Sequence, residues 1–403
     1  MKIFDEAFRI KAVATEKNYK AYPELFNSKE VQKVTNFHKT IDEYSETPLV
    51  SLDTLAQDMG VKGIYVKDES FRFGLNAFKA LGGTYSIAQV ICEKIGKNIS
   101  EISFDYLKTK EVYDQIKDIV FVTATDGNHG RGVAWAASRI GCRSVVFLPK
   151  GAAETRVEAI RKAGAEIHVT DLNYDDAVRL ASKTGDENGW ILVQDTGFEG
   201  YEKIPNWISQ GYMTMADEAQ KQLEAAGIDR PTHLFLQAGV GAMAGGVLGY
   251  YVNKFKENYP VTAIVEPNNA ACIYKSAMTN DGKPHAVKGD HNTIMAGLAC
   301  GEPNLVTWEI LRDFASVYFA CPDFISAVGM RLLACPRGKD KKIVSGESGS
   351  VGIGLLDFLM RRNELSEVRD HLGLDKDSVV LLFNTEGDTD PDNYKDIIYY
   401  GAE

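Results

Sequence analysis

From about residue 119 onward, short β-branched runs alternate with longer stretches whose apolar positions return every three or four residues. That alternation marks β-α units feeding a parallel sheet. The runs IVFVTAT (119–125), SVVFLP (144–149), EIHVT (166–170) and WILVQD (190–195) predict strands. Helices are predicted between them at 130–140, 153–163 and 174–186, the last opened by Asn173 as a cap. An amphipathic stretch from 208 to 226 leads into a second series, with strands expected at 232–239, 261–267, 316–320 and 378–384. Helices at 242–256, 270–278, 304–314, 323–334 and 349–361 fill the gaps. Segment 99–119 reads as helical decoration and 336–344 as an exposed basic loop. Two α/β modules follow, with no repeats or low-complexity tracts.

With 403 residues, 44% of them hydrophobic, the chain can build two domains of the usual size of about 100 to 200 residues. A balance of 45 Lys+Arg against 56 Asp+Glu gives a formal charge of -11, which disfavours nucleic acid and anionic membrane as partners. A small molecule is the expected partner. No apolar run approaches the roughly 20 residues needed to span a bilayer, and the opening MKIFDEAFRIKAVATEKNYK lacks the apolar centre of a signal peptide, so a cytoplasmic location is expected. The 6 cysteines lie far apart, with no C-x-x-C pair and no histidine in metal spacing, so reduced thiols and no metal site are expected. Loop spacing leaves open whether Cys272 pairs with Cys300.

Chemistry enters with DESFRFGLNAFKALGG (68–83), which sets Lys79 between a Gly/Asn-bearing loop and a small-residue helix start. Desolvation beside Phe78, or proximity to a helix N-terminus, lowers a lysine pKa toward the partly neutral amine that traps carbonyls as Schiff bases. Most lysines beside a helix start are simply solvated, so the segment gains its meaning from three others. QAGVGAMAGG (237–246) is a glycine-rich turn between a strand and a helix, where backbone N–H groups and the helix N-terminus can hold a phosphate. Without a Walker lysine or a G-x-G-x-x-G after an early strand, the expected ligand is a monophosphate ester rather than a nucleotide. TATDGNHGRG (123–132) offers Thr125, Asp126, Gly127, Asn128 and His129 as a cradle for a carboxylate. Its plainer reading is a capping turn, with Asp126 as N-cap and the histidine packed inside. LLFNTEGDTD (381–390) ends the last strand in polar residues that could reach a heteroaromatic ring.

An amine for a Schiff base, a phosphate cup, a carboxylate cradle and a polar strand end are the handles of pyridoxal phosphate holding an amino acid. From ETPLVSL (46–52) to the last strand, the chain resembles the fold-type II, tryptophan-synthase-β-like pyridoxal-phosphate enzymes. Within them it is most similar to the diaminopropionate ammonia-lyases, relatives of the serine/threonine dehydratases. GIYVKDESFRFGLNAFKALGG resembles the dehydratase pattern (I/V)-Y-x-K-x-E, G-S-F-K-x-R-G, which places the cofactor lysine at Lys79. TDGNHGRG resembles S-x-G-N-H-x-x-G, whose asparagine, here Asn128, would bond the ring oxygen. The glycine loop implies Gly239, Val240, Gly241, Ala242 and Met243 for the phosphate. TIMAGLA (293–299) keeps only part of T-x-A-D-G-x-A, whereas SGESGS (345–350) resembles E-P-x-G-A and puts Glu347 near the cofactor. FNTEGD puts Thr385, or alternatively Asn384, at the ring nitrogen.

The resemblance implies an α/β fold with two open, twisted, mostly parallel sheets flanked by helices. The cofactor would lie between a large domain (1–85 and 192–403) and a small one (86–191), and a homodimer is implied as well. Two departures from the dehydratases bear on the substrate. Asp126 stands where they carry a small apolar residue, and Asp195 lies in QDTGFEGY (194–201), a segment closer to the ammonia-lyases. An added carboxylate near Cβ suits a second amine rather than a hydroxyl. The implied activity is α,β-elimination of 2,3-diaminopropionate to pyruvate and two ammonia, with Lys79, Asp126 and Asp195 catalytic, Lys79 serving the L-isomer and Asp126 the D-isomer. A serine/threonine dehydratase of the same fold stays open as the alternative. A non-catalytic binding protein would be expected to have lost Lys79 or the glycine cup.

Overall fold

The computed structural model describes residues 1–17 and 21–402. Its larger sheet has eight strands in the order Lys2–Ile3, Lys11–Ala14, Val317–Cys321, Val261–Pro267, His233–Gln237, Val379–Asn384, Gly63–Asp68, Leu49–Ser51. The five inner strands run parallel, and the antiparallel partners sit at the two edges. A second sheet of four parallel strands has the order Glu166–Val169, Arg143–Leu148, Val120–Ala124, Ile191–Leu192.

The inner strands are continuous apolar runs because helices cover both faces of the sheet. Alternate residues serve different cores: Leu234, Leu236, Ile264 and Leu381 join one cluster, while Phe235, Ala263, Val265 and Leu382 join another. The first cluster continues into the smaller module through Phe121, Val145 and Ala177, so the two modules share apolar packing. Helix Ala80–Ile95 lies between them, against both helix Asn128–Ile140 and helix Lys203–Gly211.

The helices Asn128–Ile140, Glu154–Lys162 and Tyr174–Asn188 fall where periodicity put them, and Asn173 caps the third through the N–H of Asp176. WILVQD is shorter than expected, Ile191–Leu192, because the chain leaves the sheet to carry Gln194 and Asp195 inward. The stretch 208–226 divides at Tyr212 into Lys203–Gly211 and Met213–Ala225, and Ile208 to Gln220 are buried throughout, so it is a core element rather than an amphipathic one. Among the described residues no helix is long and apolar enough to cross a membrane. Cys272 and Cys300, whose pairing the sequence left open, are both buried free thiols.

Candidate active site

Lys79 is aimed by a turn that bends against its own preferences. Phe73 (φ 50°) and Asn76 (φ 53°) hold left-handed backbone just before it, a conformation that asparagine tolerates but that phenylalanine keeps only where the surroundings impose it. Two backbone bonds to the segment after the last strand impose it here: Phe78 N donates to Thr385 O at 3.1 Å, and Gly387 N to Asn76 O at 3.1 Å. A buried ionic network supports the same turn. Arg72 lies 2.8 Å from Glu69 and 2.8 Å from Glu218, and Lys67 Nζ is 2.7 Å from Glu218.

The small residues after Lys79 have a packing role. A Cβ on Gly132 would sit 2.8 Å from the Cα of Ala80, and one on Gly83 would press 3.2 Å against the backbone of Gly132. Helices Ala80–Ile95 and Asn128–Ile140 therefore touch backbone to backbone, which brings the TDGNHG turn to the lysine. Lys79 Nζ lies 3.1 Å from Asp195 Oδ2 and 3.9 Å from Asp126 Oδ1.

The electrostatics reverse one expectation. Burial pushes the Lys79 pKa down, as anticipated, but the Asp195 and then the Asp126 carboxylates outweigh it and hold the amine above the ordinary lysine value. Lys79 is an ammonium here and must pass its proton on before it can react. Burial would raise the Asp195 carboxyl, yet the Lys79 ammonium foremost, with its hydrogen bond, brings it down to about 2. Tyr174 donates its hydroxyl to Asp195 at 3.3 Å, and Gln194 Nε2 donates to Asp195 at 3.2 Å and to the Tyr174 hydroxyl at 2.9 Å.

The carboxylate cradle divides by role. Thr125 Oγ1 accepts from Gly127 N at 2.9 Å and Gly130 N at 3.0 Å, so it ties its own turn together instead of facing a ligand. His129 Nε2 donates to Val193 O at 2.8 Å, and burial lowers its pKa, so the ring is neutral with Nδ1 unpartnered and 3.9 Å from Asp195. Asp126 is no cap: helix Asn128–Ile140 starts from Gly127 without a side-chain cap, and Asp126 Oδ2 is buried without a partner. Asn128 Nδ2 donates to Glu386 Oε2 at 2.6 Å.

Lys79, Asn128, Asp195, Thr385 and the whole run Gly239 to Met243 line one cavity. Asp126 faces the adjoining outer cavity together with Arg156 and Tyr174. Two expectations are corrected. Asn384 is committed elsewhere, its Nδ2 donating to Asp68 Oδ1 at 2.7 Å and to Val344 O at 3.0 Å, because alternation along the strand turns it away from Thr385. Glu347, the first residue of helix Glu347–Arg361, points to Arg156 (3.9 Å) and Asn393, and the cavity wall there is Ser348 and Glu386. Burial, together with the charge of Glu386, pushes the Glu347 carboxyl up to about 7.

The family profile of pyridoxal-phosphate dependent enzymes matches residues 41–383. The chain belongs to that family. A diaminopropionate ammonia-lyase from Salmonella typhimurium is 52% identical over 378 residues, 94% of each chain. The crystal structure of the Escherichia coli diaminopropionate ammonia lyase in complex with an aminoacrylate-PLP azomethine reaction intermediate matches with a TM-score of 0.90 and 47% identity over 99% of both chains. The same enzyme in complex with D-serine matches with a TM-score of 0.91 and 47% identity, again over 99% of both. The fold is that of the fold-type II pyridoxal-phosphate enzymes, and pyridoxal phosphate is the cofactor.

The residues present fit this cofactor. Helix Ala242–Phe255 opens at the cavity without a side-chain cap, and Gly241 at φ 95° lets the backbone turn there, leaving first-turn N–H groups for a phosphate. Lys79 offers an amine, Asn128 a side-chain amide and Thr385 a hydroxyl to this cavity. Sequence reasoning missed Tyr174, Gln237, Arg156 and Glu386. Gln237 and Glu386 lay inside segments already singled out, whereas Arg156 and Tyr174 reach the site only through the order of strands in the smaller sheet.

Proposed function

We infer that the chain is a pyridoxal-phosphate-dependent ammonia-lyase that converts 2,3-diaminopropionate and water to pyruvate and two ammonia. The observation that carries this reading is the pair of carboxylates, Asp195 at 3.1 Å and Asp126 at 3.9 Å, around one lysine amine. Elimination of a hydroxyl needs no such pair, whereas a substrate with a second ammonium gains a counter-charge from it.

The bound cofactor withdraws electrons from the substrate's Cα and so makes its proton removable. Lys79 would hold the cofactor, the N-terminus of helix Ala242–Phe255 its phosphate, and Asn128 and Thr385 would face its ring oxygen and ring nitrogen. Once displaced by substrate, Lys79 is the base for Cα–H of the L-isomer. Asp126, with Oδ2 unpartnered, takes the proton of the D-isomer from the other side. The complex of the Escherichia coli relative with D-serine supports this second use. Asp195 stays ionised and keeps a positive charge on Lys79 whenever the amine carries a proton, so that proton is at hand for the departing β-amine. The first-turn N–H groups of helix Asn128–Ile140 receive the substrate carboxylate. A homodimer, which the resemblance implies, is checked by sizing the purified protein.

Product stoichiometry tests the reading: two ammonia for each pyruvate from diaminopropionate, with serine and threonine poorer substrates. Preference for serine or threonine would assign the dehydratase activity instead. Asp126→Asn should cut turnover of the D-isomer by about 10²–10³-fold and of the L-isomer by much less. Equal losses on both would sink the two-base arrangement.

A further inference from the structure

Gln237 is the last residue of strand His233–Gln237, 3% exposed and inside the cavity wall. Its side-chain nitrogen makes two hydrogen bonds, to Phe383 O at 2.9 Å and to Thr385 Oγ1 at 2.9 Å. The first fixes how the amide is turned, since a carbonyl oxygen only accepts and only the NH₂ end can satisfy it. The second N–H is then necessarily given to Thr385. A hydroxyl that accepts from Gln237 must donate its own hydrogen elsewhere, and among the described residues no protein acceptor takes it.

We propose that Gln237 is a positioning residue that sets the polarity of the Thr385 hydroxyl, forcing it to donate to the cofactor's ring nitrogen and so holding that nitrogen unprotonated. This rests on the reading that places Thr385 at the ring nitrogen. A pyridine nitrogen already occupied by a neutral O–H donor has no room for a proton of its own, and an alcohol is far too weak an acid to give its proton up. Electron withdrawal by the ring stays moderate, which favours prompt loss of the β-substituent over transamination. The order of donation, Gln237 to Thr385 to ring nitrogen, is thus written into the protein by one backbone carbonyl.

The test uses holoenzyme reconstituted with pyridoxal phosphate labelled with ¹⁵N in the ring, read by nitrogen NMR. Wild type should show the shift of an unprotonated, hydrogen-bonded pyridine that does not change between pH 6 and 9. In Gln237→Glu the single carboxyl proton serves Phe383 O, or is lost, so Thr385 now meets an oxygen and donates to it. The ring nitrogen then faces only lone pairs, and its signal should move toward the pyridinium position and titrate. Gln237→Met, which keeps the volume and lets the hydroxyl rotate, should move the signal toward unbonded pyridine and weaken cofactor retention on dialysis by about 2- to 10-fold. Thr385→Val separates the two levels. No change in that variant means Thr385 is not at the ring nitrogen; a change there with wild-type signals in both Gln237 variants overturns the role of Gln237 alone.

Discussion

Two clusters of buried charge flank the turn that carries Lys79, and they differ in how fully they are paired. Around Arg72, with Lys67, Glu69 and Glu218, the charged groups bond one another, and Thr47 adds its hydroxyl to Glu69 at 2.6 Å; none of the four leaves a buried polar atom unpartnered. Around Lys79, by contrast, Asp126 Oδ2, His129 Nδ1, Arg156 Nε and Glu386 Oε1 are all buried without a partner. Each such atom costs roughly 1–3 kcal/mol, which a folded protein tolerates where a ligand will complete the bonds. Saturation, more than burial, separates the scaffold from the working site.

The sharpest test of that contrast removes the central cation of each cluster. Lys79→Ala should lower turnover on the order of 10⁴-fold and abolish the cofactor's lysine-bound absorbance, and it should also cost stability because Asp195 and Asp126 lose their cation. A retained absorbance would move the cofactor lysine elsewhere. Arg72→Met should act chiefly on stability, costing about 3–5 kcal/mol in urea denaturation, because Glu69 loses its cation in the interior and Glu218 keeps only Lys67. A loss below about 1 kcal/mol would erase the distinction.

One carboxyl at each cluster, Glu218 and Glu347, should answer pH with opposite signs. Burial opposes ionisation of Glu218, but Arg72 and Lys67 hold it at about 2 against an ordinary 4.5. Its stabilisation is complete above 4.5 and is lost as pH falls toward 2. Glu347 is raised from 4.5 to about 7 by burial and by Glu386, so its contribution is present below 4.5 and is lost as pH rises through 7. Stability measured by urea denaturation across that range should therefore fall on both sides, and Glu347→Gln should flatten the neutral side while leaving the acid side intact. An unchanged neutral slope would remove Glu347 from the account. The smallest effect is expected from Tyr174→Phe, which takes one hydrogen bond from Asp195 and should cost about 2- to 10-fold in kcat/KM.

Elements with a strong period were legible in the chain: four of the five inner strands of the large sheet, the inner strands of the smaller one and the helices after them fall within a few residues of where the pattern put them, whereas the inner strand Gly63–Asp68 was not foreseen. Short antiparallel strands such as Lys11–Ala14 were not legible, because four residues paired antiparallel to Val317–Cys321 carry no periodic signal of their own. At the site, Lys79, Asn128 and the glycine turn could be singled out because each lies in a contiguous segment at the start of a helix, and the structure brings the three to one cavity. Glu386 and Arg156 were not, since a carboxylate and a guanidinium acquire meaning only when tertiary packing buries them. The Lys79 ionisation was misjudged for the same reason: Asp195 lies 116 residues away in sequence.

The strand Val379–Asn384 lies between His233–Gln237 and Gly63–Asp68 in the middle of the large sheet, and the residues just beyond it pin the lysine turn. A growing chain therefore carries a one-strand gap through the centre of its fold until synthesis has passed residue 385. Until then it exposes two unpaired inner edges, the kind of surface that chaperones and neighbouring chains can pair with. Catalytic competence and relief from that hazard arrive together, in one late docking event.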